Sequence, residues 1–167
     1  MEFKLKSISR AGIPAAISKA ELYRNLNEPG EAESICRDVL AVEPDNQKAQ
    51  RLLGLAITDQ FTGAGYAEAE KIFQSLSDPY EQLYYTGILH ERRAKAQLRA
   101  GRSPHTLLPL IEEAMRCFEE AEKIRPADND DAILRWNRCV RLLQSRAPSD
   151  WQREIEAFDV SDSPPSS

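Results

Sequence analysis

The feature that most constrains this chain is an internal repeat of amphipathic segments. Residues 31–44 (EAESICRDVLAVEP) and 113–126 (EAMRCFEEAEKIRP) both open on Glu-Ala and both reach a Pro at the same distance from that Ala. A third copy at 68–76 keeps the Ala-x3-Phe spacing of the second and runs into an Asp-Pro pair. In each copy the apolar residues recur at i, i+3 or i+4, and i+7, which is typical of an amphipathic helix. Three such copies in tandem predict a fold of stacked helices.

Each copy is preceded by a second helical segment built around a small residue. These small residues are Ala20, Gly54 and Gly87, which lie 34 and then 33 residues apart. A Gly inside a helix costs about 1 kcal/mol relative to Ala. Two of them at matched positions therefore predict a close approach between helices rather than flexibility.

Together the two segments resemble the tetratricopeptide repeat family, a 34-residue helix–turn–helix of the form W-x2-L-G-x2-Y…A-x3-F…P. The likeness spans about residues 13–143 and rests on Leu53-Gly54, Ala69-x3-Phe73, Ala114-x3-Phe118, Pro44 and Pro126. It implies an all-α fold: a right-handed α-α superhelix of antiparallel helix pairs, with about three hairpins and a C-terminal capping helix. It also implies a concave groove lined by the first helix of each pair.

Periodicity and helix-end signals predict seven helices, at 13–26, 31–42, 46–61, 66–77, 79–100, 104–124 and 130–146. We expect Asp45 and Asp78 to be N-caps, Pro79 to begin its helix and Gly101 to end it. Pro109 predicts either a late start or a kink in the sixth helix.

The chain divides into four predicted parts: an extended N-terminal arm (1–12), the repeat domain (13–146), a capping helix (147–158) and a disordered tail (159–167). The capping helix is suggested by Trp151, Ile155 and Phe158, which share one helical face. Covering the apolar end of the stack is the usual role of such a helix. Docking on a partner is the alternative.

The resemblance implies which side chains face the groove. From the four helices concerned they are Arg24, Arg51, Leu55, Tyr84, Ile88, Glu91, Asn137 and Arg141, with Ile17, Glu21 and Thr58 beside them. Tyr84 and Arg51 form the best anchor, because aromatic residues and Arg dominate binding hot spots. Ile17 and Glu21 stand where the carboxylate-gripping subtype of the family needs a basic residue and an Asn, so we do not expect that mode of binding.

The sequence contains none of the common catalytic or metal-binding motifs. Cys36, Cys117 and Cys139 are widely spaced and form no C-x-x-C pair, which favours buried structural thiols. His90 and His105 stand apart from any H-x3-H or H-E-x2-H pattern, and we expect His90 to be a half-buried core residue. Phosphate loops and nucleophile elbows are also missing. The sequence predicts no enzyme, no cofactor and no metal.

Charge bears on the possible partners. The net charge is −5 and the pI is near 5.2, which disfavours nucleic acid as a partner. Arg135, Arg138 and Arg141 step along one helix, and we expect them to complement the helix dipole and neighbouring acidic residues. A patch for an anionic ligand is the sharper alternative. Lacking a signal peptide and a membrane-spanning run, the sequence predicts a cytoplasmic protein.

Three functional hypotheses follow. The first is an adaptor or scaffold without catalytic activity, which binds a peptide or helix of another protein in the groove. The second is a self-assembly unit, which forms a homo-oligomer through the ends of the solenoid or the C-terminal helix. The third is a small-ligand or nucleic-acid binder that uses the arginines of the seventh helix.

Overall fold

The computed structural model describes residues 1–60 and 64–145, apart from the side chains at 104 and 105. Those residues contain seven α-helices and no strand, preceded by a 3-10 turn at Arg10–Gly12. The helices are α1 (Ile13–Asn25), α2 (Pro29–Val42), α3 (Gln47–Asp59), α4 (Gly65–Gln74), α5 (Pro79–Arg99), α6 (Pro104–Lys123) and α7 (Asp131–Gln144). The all-α prediction is confirmed for the described residues, and each of the seven helices predicted between residues 13 and 146 appears with bounds shifted by at most three residues. The predicted capping helix, the predicted tail and residue 146, at which the seventh helix was expected to end, lie outside the described residues.

Helix starts follow the predicted capping chemistry at α5 and differ by one residue at α3. The Tyr80 N–H donates to Asp78 Oδ1 at 2.9 Å, and Pro79 is the first residue of α5, as predicted. The expectation for Asp45 is wrong, because α3 begins at Gln47 and Asn46 is its N-cap. Asn46 Oδ1 accepts a hydrogen bond of 2.9 Å from the N–H of Ala49, three residues on.

Helix ends use residues that tolerate a left-handed backbone. Gly101 has φ +75° and follows α5; its N–H donates to the Leu98 carbonyl, and the N–H of Arg102 donates to the Gln97 carbonyl. This is a Schellman motif, and the predicted stop at Gly101 is confirmed. Asn27, two residues after the last residue of α1, has φ 59°. At α6 the late start is wrong, because the helix begins at Pro104 and continues through Pro109.

Contacts divide the chain into two compact units, Met1–Tyr85 and Thr86–Ser167, with the boundary inside α5. In the first unit α1 packs on α2, α2 on α3 and α3 on α4. Short connections join α1 to α2 and α2 to α3, so neighbouring helices pack as hairpins. Helix α1 also contacts α3. The first helices of the successive pairs α1/α2 and α3/α4 therefore lie side by side. In the second unit α6 packs on α7.

Two glycines, one in each unit, mark close approaches between helices. A Cβ on Gly54 would lie 2.6 Å from Cζ of Phe73 on α4, and a Cβ on Gly87 would lie 2.6 Å from Cε1 of Phe118 on α6. Both phenylalanines are fully buried. The predicted close approach at these glycines is therefore confirmed.

The alanine at the start of each repeated segment and all three thiols also belong to the core. Ala32, Ala69 and Ala114 have no exposed surface. The predicted burial of the cysteines is confirmed, since Cys36, Cys117 and Cys139 are buried and are not in disulfides.

Candidate functional site

Two ion pairs cross-link α1 and α3, the first helices of the first two hairpins. Arg24 Nε lies 2.7 Å from Asp59 Oδ2, with the two side chains 20% and 24% exposed. Lys48 Nζ lies 3.0 Å from Glu21 Oε1 on the same pair of helices, with both side chains more exposed. Arg24, a predicted groove residue, therefore lies at the surface with its guanidinium held by a carboxylate.

Arg51, the second predicted cation, joins α3 to the start of α5. Its Nη1 lies 2.9 Å from both carboxylate oxygens of Glu81, and the two side chains are about one-quarter exposed. Glu81 and Tyr84 are three residues apart on α5 and so occupy one helical face. The structure thus brings the predicted Arg51–Tyr84 anchor to one region of the first unit.

Tyr84 belongs to an aromatic cluster at the start of α5. Its ring stacks on the buried Tyr80, with centroids 5.8 Å apart, and meets Tyr85 edge-on at 5.1 Å. Tyr85 in turn stacks on Phe73 of α4 at 5.4 Å. Tyr85 therefore packs between helices, while the ring of the half-buried Tyr84 is oriented by two neighbouring tyrosines.

The structure contradicts two of the groove assignments on α5. Ile88 is 3% exposed and Glu91 is 1% exposed, so neither offers a surface to a partner. Glu91 is neutralised within the second unit: Oε1 lies 2.9 Å from Lys95 Nζ, and Oε2 lies 3.2 Å from Arg135 Nη1 on α7. The buried carboxylate requires these cations, since a charge leaves water only when it is paired.

The remaining predicted groove residues differ in exposure. Leu55 is half-buried on α3, whereas Ile17 and Thr58 are buried, and the Thr58 hydroxyl donates to the Leu55 carbonyl at 2.8 Å. Asn137 is half-buried and Arg141 exposed on α7, in the second unit. Among the predicted groove residues of the first unit, four lie on α1, α3 and α5 and keep part of their surface exposed: Arg24, Arg51, Leu55 and Tyr84. We call this set the α1/α3/α5 face.

A second polar network lies on the other helices of the first unit. Arg37 of α2 binds Glu33 at 2.6 Å and Glu68 of α4 at 3.0 Å, and these hydrogen bonds raise the pKa of its guanidinium. Partial burial works to raise the pKa of Glu33, but hydrogen bonds from Gln60 and Arg37 outweigh it and leave that pKa below its ordinary value. Arg37 is thus a counterpart of Arg51 on different helices.

The second unit contains a cluster that the sequence motifs did not reveal. His90 of α5 and Glu113 and Cys117 of α6 each offer one donor atom, and these atoms lie within 4.8 Å of one another. A hydrogen bond from Arg116 is the main reason that the pKa of Glu113 is lowered. The one sequence signal was the i, i+4 spacing of Glu113 and Cys117, which is common on helices and carries no information about His90.

Two of the thiols are poorly suited to reaction. Burial raises the pKa of Cys36 to about 11, against a smaller opposing effect of Arg24 and Arg37. Burial also raises the pKa of Cys139 to about 11. Since the thiolate is the reactive form, both thiols are poor nucleophiles at neutral pH.

Across the described ranges, none of the helices combines the length and the apolar character needed to cross a membrane. No protein-family model matches this chain, and no curated protein is significantly similar to it in sequence.

Proposed function

We propose that this chain is a non-catalytic protein-interaction module, an adaptor or scaffold with a tetratricopeptide-like superhelix, which binds a peptide or helix of a partner on the α1/α3/α5 face. The observation that supports the proposal is the side-by-side contact of α1 and α3, extended to α5 by the Arg51–Glu81 pair. In the family that the sequence resembles, the first helices of successive hairpins line the binding groove.

The chemistry of the α1/α3/α5 face suits a protein partner. Tyr84 and Arg51 are of the residue types that carry most interface energy, and Leu55 adds a half-buried apolar contact. Contacts to Asp59 and Glu81 hold the two arginines in place, so that little side-chain entropy is lost on binding. Because each arginine is already paired, we expect partner specificity to come from shape and from Tyr84 more than from net charge.

The test is affinity capture from native lysate with three proteins: wild type, Arg51→Glu/Tyr84→Ala, and the control Arg37→Glu. Arg37→Glu also reverses a cation held by carboxylates, but on α2. Circular dichroism first establishes that all three are equally helical. We expect a defined partner to be retained by wild type and Arg37→Glu and lost by the double variant. Purified partner should then bind the double variant at least about 30-fold more weakly, in keeping with the loss of a hot spot. Equal capture by all three proteins would refute the proposal.

One observation favours self-assembly as a second candidate function. Leu134 on α7 and Ile124 after α6 are 62% and 50% exposed in the second unit, and they are suited to contact a second copy. We expect a mass that rises with concentration in sedimentation measurements and falls to that of the monomer in Leu134→Glu. A monomeric mass at every concentration would exclude this candidate.

A further inference from the structure

We propose that His90, Glu113 and Cys117 form a binding site for one divalent transition-metal ion, with Zn²⁺ as the preferred metal. The three donor atoms lie within 4.8 Å of one another in the second unit. This inference goes beyond the proposed interaction module and does not depend on it.

Packing of α5 against α6 in the core brings the side chains of His90, Glu113 and Cys117 close together. Glu113 and Cys117 are four residues apart on α6 and therefore share one face of that helix. His90 stands three residues after Gly87, where the missing Cβ lets Phe118 of α6 reach the backbone of α5. Because Phe118 follows Cys117 directly, the contact that closes the core also brings the imidazole to the Glu113–Cys117 face.

The distances and burial suit a metal ion. Zinc binds sulfur at about 2.3 Å and nitrogen or oxygen at about 2.0–2.2 Å, so the donors of a tetrahedral site lie about 3.3–3.8 Å apart. Donors within 4.8 Å need side-chain movements of about 1 Å to reach that spacing. Cys117 is 2% exposed, while His90 and Glu113 are half-buried, so the ion would enter from the carboxylate and imidazole side.

The donor set selects the class of metal. A thiolate with an imidazole favours Zn²⁺ and its transition-metal neighbours, whereas Mg²⁺ and Ca²⁺ require oxygen donors. Cys117 as thiolate and Glu113 as carboxylate supply two negative charges, which balance a divalent ion. Arg116 Nε donates to Glu113 Oε2 at 3.1 Å and Nη2 donates to Oε1, an outer-shell contact that orients the carboxylate while leaving further lone pairs on it. Three protein donors leave the fourth position to water.

The test uses the full-length chain, stripped of metal by a chelator and titrated with Co²⁺ alone and then with Zn²⁺ in competition. A thiolate-bound Co²⁺ gives an intense sulfur-to-metal charge-transfer absorption, and tetrahedral Co²⁺ gives visible d–d bands. We expect one Co²⁺ per chain, with both signatures, displaced by Zn²⁺ and unaffected by Mg²⁺ or Ca²⁺. Zinc should also raise the melting temperature of the wild type, since it binds the folded state.

Substitutions identify the ligands. Cys117→Ala should abolish the charge-transfer band. Cys117→Ala and His90→Gln should each weaken Zn²⁺ binding by about 100-fold or more, which exceeds the usual effect of removing a group that contacts only a metal ligand. Glu113→Gln, which keeps an oxygen but loses its charge, should weaken it by about 10-fold. The matched control is Cys36→Ala, which removes an equally buried thiol from the first unit and should bind like the wild type.

Two results would overturn the proposal: a wild-type titration without the charge-transfer band, or Zn²⁺ affinity unchanged in Cys117→Ala. All variants are checked for helicity by circular dichroism. If Cys117→Ala does not fold, His90→Gln decides, because its half-buried position tolerates an isosteric polar side chain; unchanged affinity there would also reject the site.

Discussion

At the scale of single residues, the absent Cβ of Gly54 decides how closely α3 and α4 approach. Its place is filled by the edge of the Phe73 ring, which is fully buried and has no room to move. Gly30 provides the contrast, since a Cβ there would meet only Gln60 Oε1, at 4.0 Å. Two helical glycines in one unit thus differ in the reason for their presence.

We predict that Gly54→Ala lowers the free energy of unfolding by about 1–2 kcal/mol, because overpacking outweighs the gain in helix propensity. Gly30→Ala should raise it by up to about 1 kcal/mol. Urea denaturation measures both. In a Phe73→Leu background the penalty at Gly54 should shrink, since the ring edge is gone. An undiminished penalty there would show that the cost is not steric.

The buried thiols predict a loss of stability at alkaline pH. The folded pKa values of Cys36 and Cys139, about 11, lie above the ordinary 9.0, so the unfolded chain releases these protons first. The contribution of the two protonated thiols to the free energy of unfolding is complete below pH 9.0 and declines as the pH rises through about 11. The free energy of unfolding should therefore fall less steeply with pH in Cys36→Ala/Cys139→Ala than in wild type. Parallel profiles for the two proteins would contradict the prediction.

At the scale of elements, the helices were predictable and their exact starts were less so. Regular apolar spacing and end signals such as Pro79 and Gly101 are local, and the structure follows them. At α3, Asp45 and Asn46 are both good N-caps by residue type, so the sequence did not decide between them. Asn46 Oδ1 accepts a hydrogen bond from the Ala49 N–H, and Asn46 Nδ2 donates one to Glu43 Oε2. These two hydrogen bonds make Asn46, rather than Asp45, the N-cap of α3.

We predict that Asn46→Ala lowers the free energy of unfolding by about 1 kcal/mol, because the N–H of Ala49 loses its acceptor. Asp45→Ala, one residue earlier, should change it by less than about 0.5 kcal/mol. Chemical denaturation of the two single variants checks this. A larger effect at Asp45 would restore the cap position expected from the sequence.

An ion pair between the buried Glu91 of α5 and Arg135 of α7 links these two helices, and the sequence did not predict that Glu91 is buried. In Arg135→Ala, Lys95 is the remaining ion-pair partner of Glu91 among the described contacts. We expect this substitution to lower the free energy of unfolding by about 1–3 kcal/mol. Arg138 is exposed on the same helix, and Arg138→Ala should change the free energy of unfolding by less than about 0.5 kcal/mol. Urea titrations of both variants measure the difference, and equal stabilities would mean that the ion pair adds nothing.

At the scale of the whole molecule, the repeat could be predicted from the sequence, whereas the candidate sites could be predicted only in part. Period and spacing are local properties, and they carry the family resemblance that implied Arg51 and Tyr84 as groove residues. Whether Ile88 and Glu91 face solvent depends on the rotation of α5 against helices distant in sequence, and Arg135, which neutralises Glu91, lies 44 residues away. The approach of His90 to Cys117 depends likewise on the register between α5 and α6. Long-range register of this kind leaves no periodic signal in one sequence.

The overall charge predicts that the arginines of α7 do not form a nucleic-acid site. The chain carries a net charge of −5, and Arg135 is bound to Glu91, so Arg138 and Arg141 are the members of that row left exposed. Each phosphate that they neutralised would contribute about −0.7 to the slope of log affinity against log salt for single strands. We therefore expect fluorescence anisotropy with a labelled RNA to give no binding at physiological salt. At low salt the affinity should be weak, with a slope no steeper than about −1.4. A steeper slope that Arg138→Glu/Arg141→Glu abolishes would mean that further cations join these two, and an RNA-binding role would then replace the protein-interaction proposal.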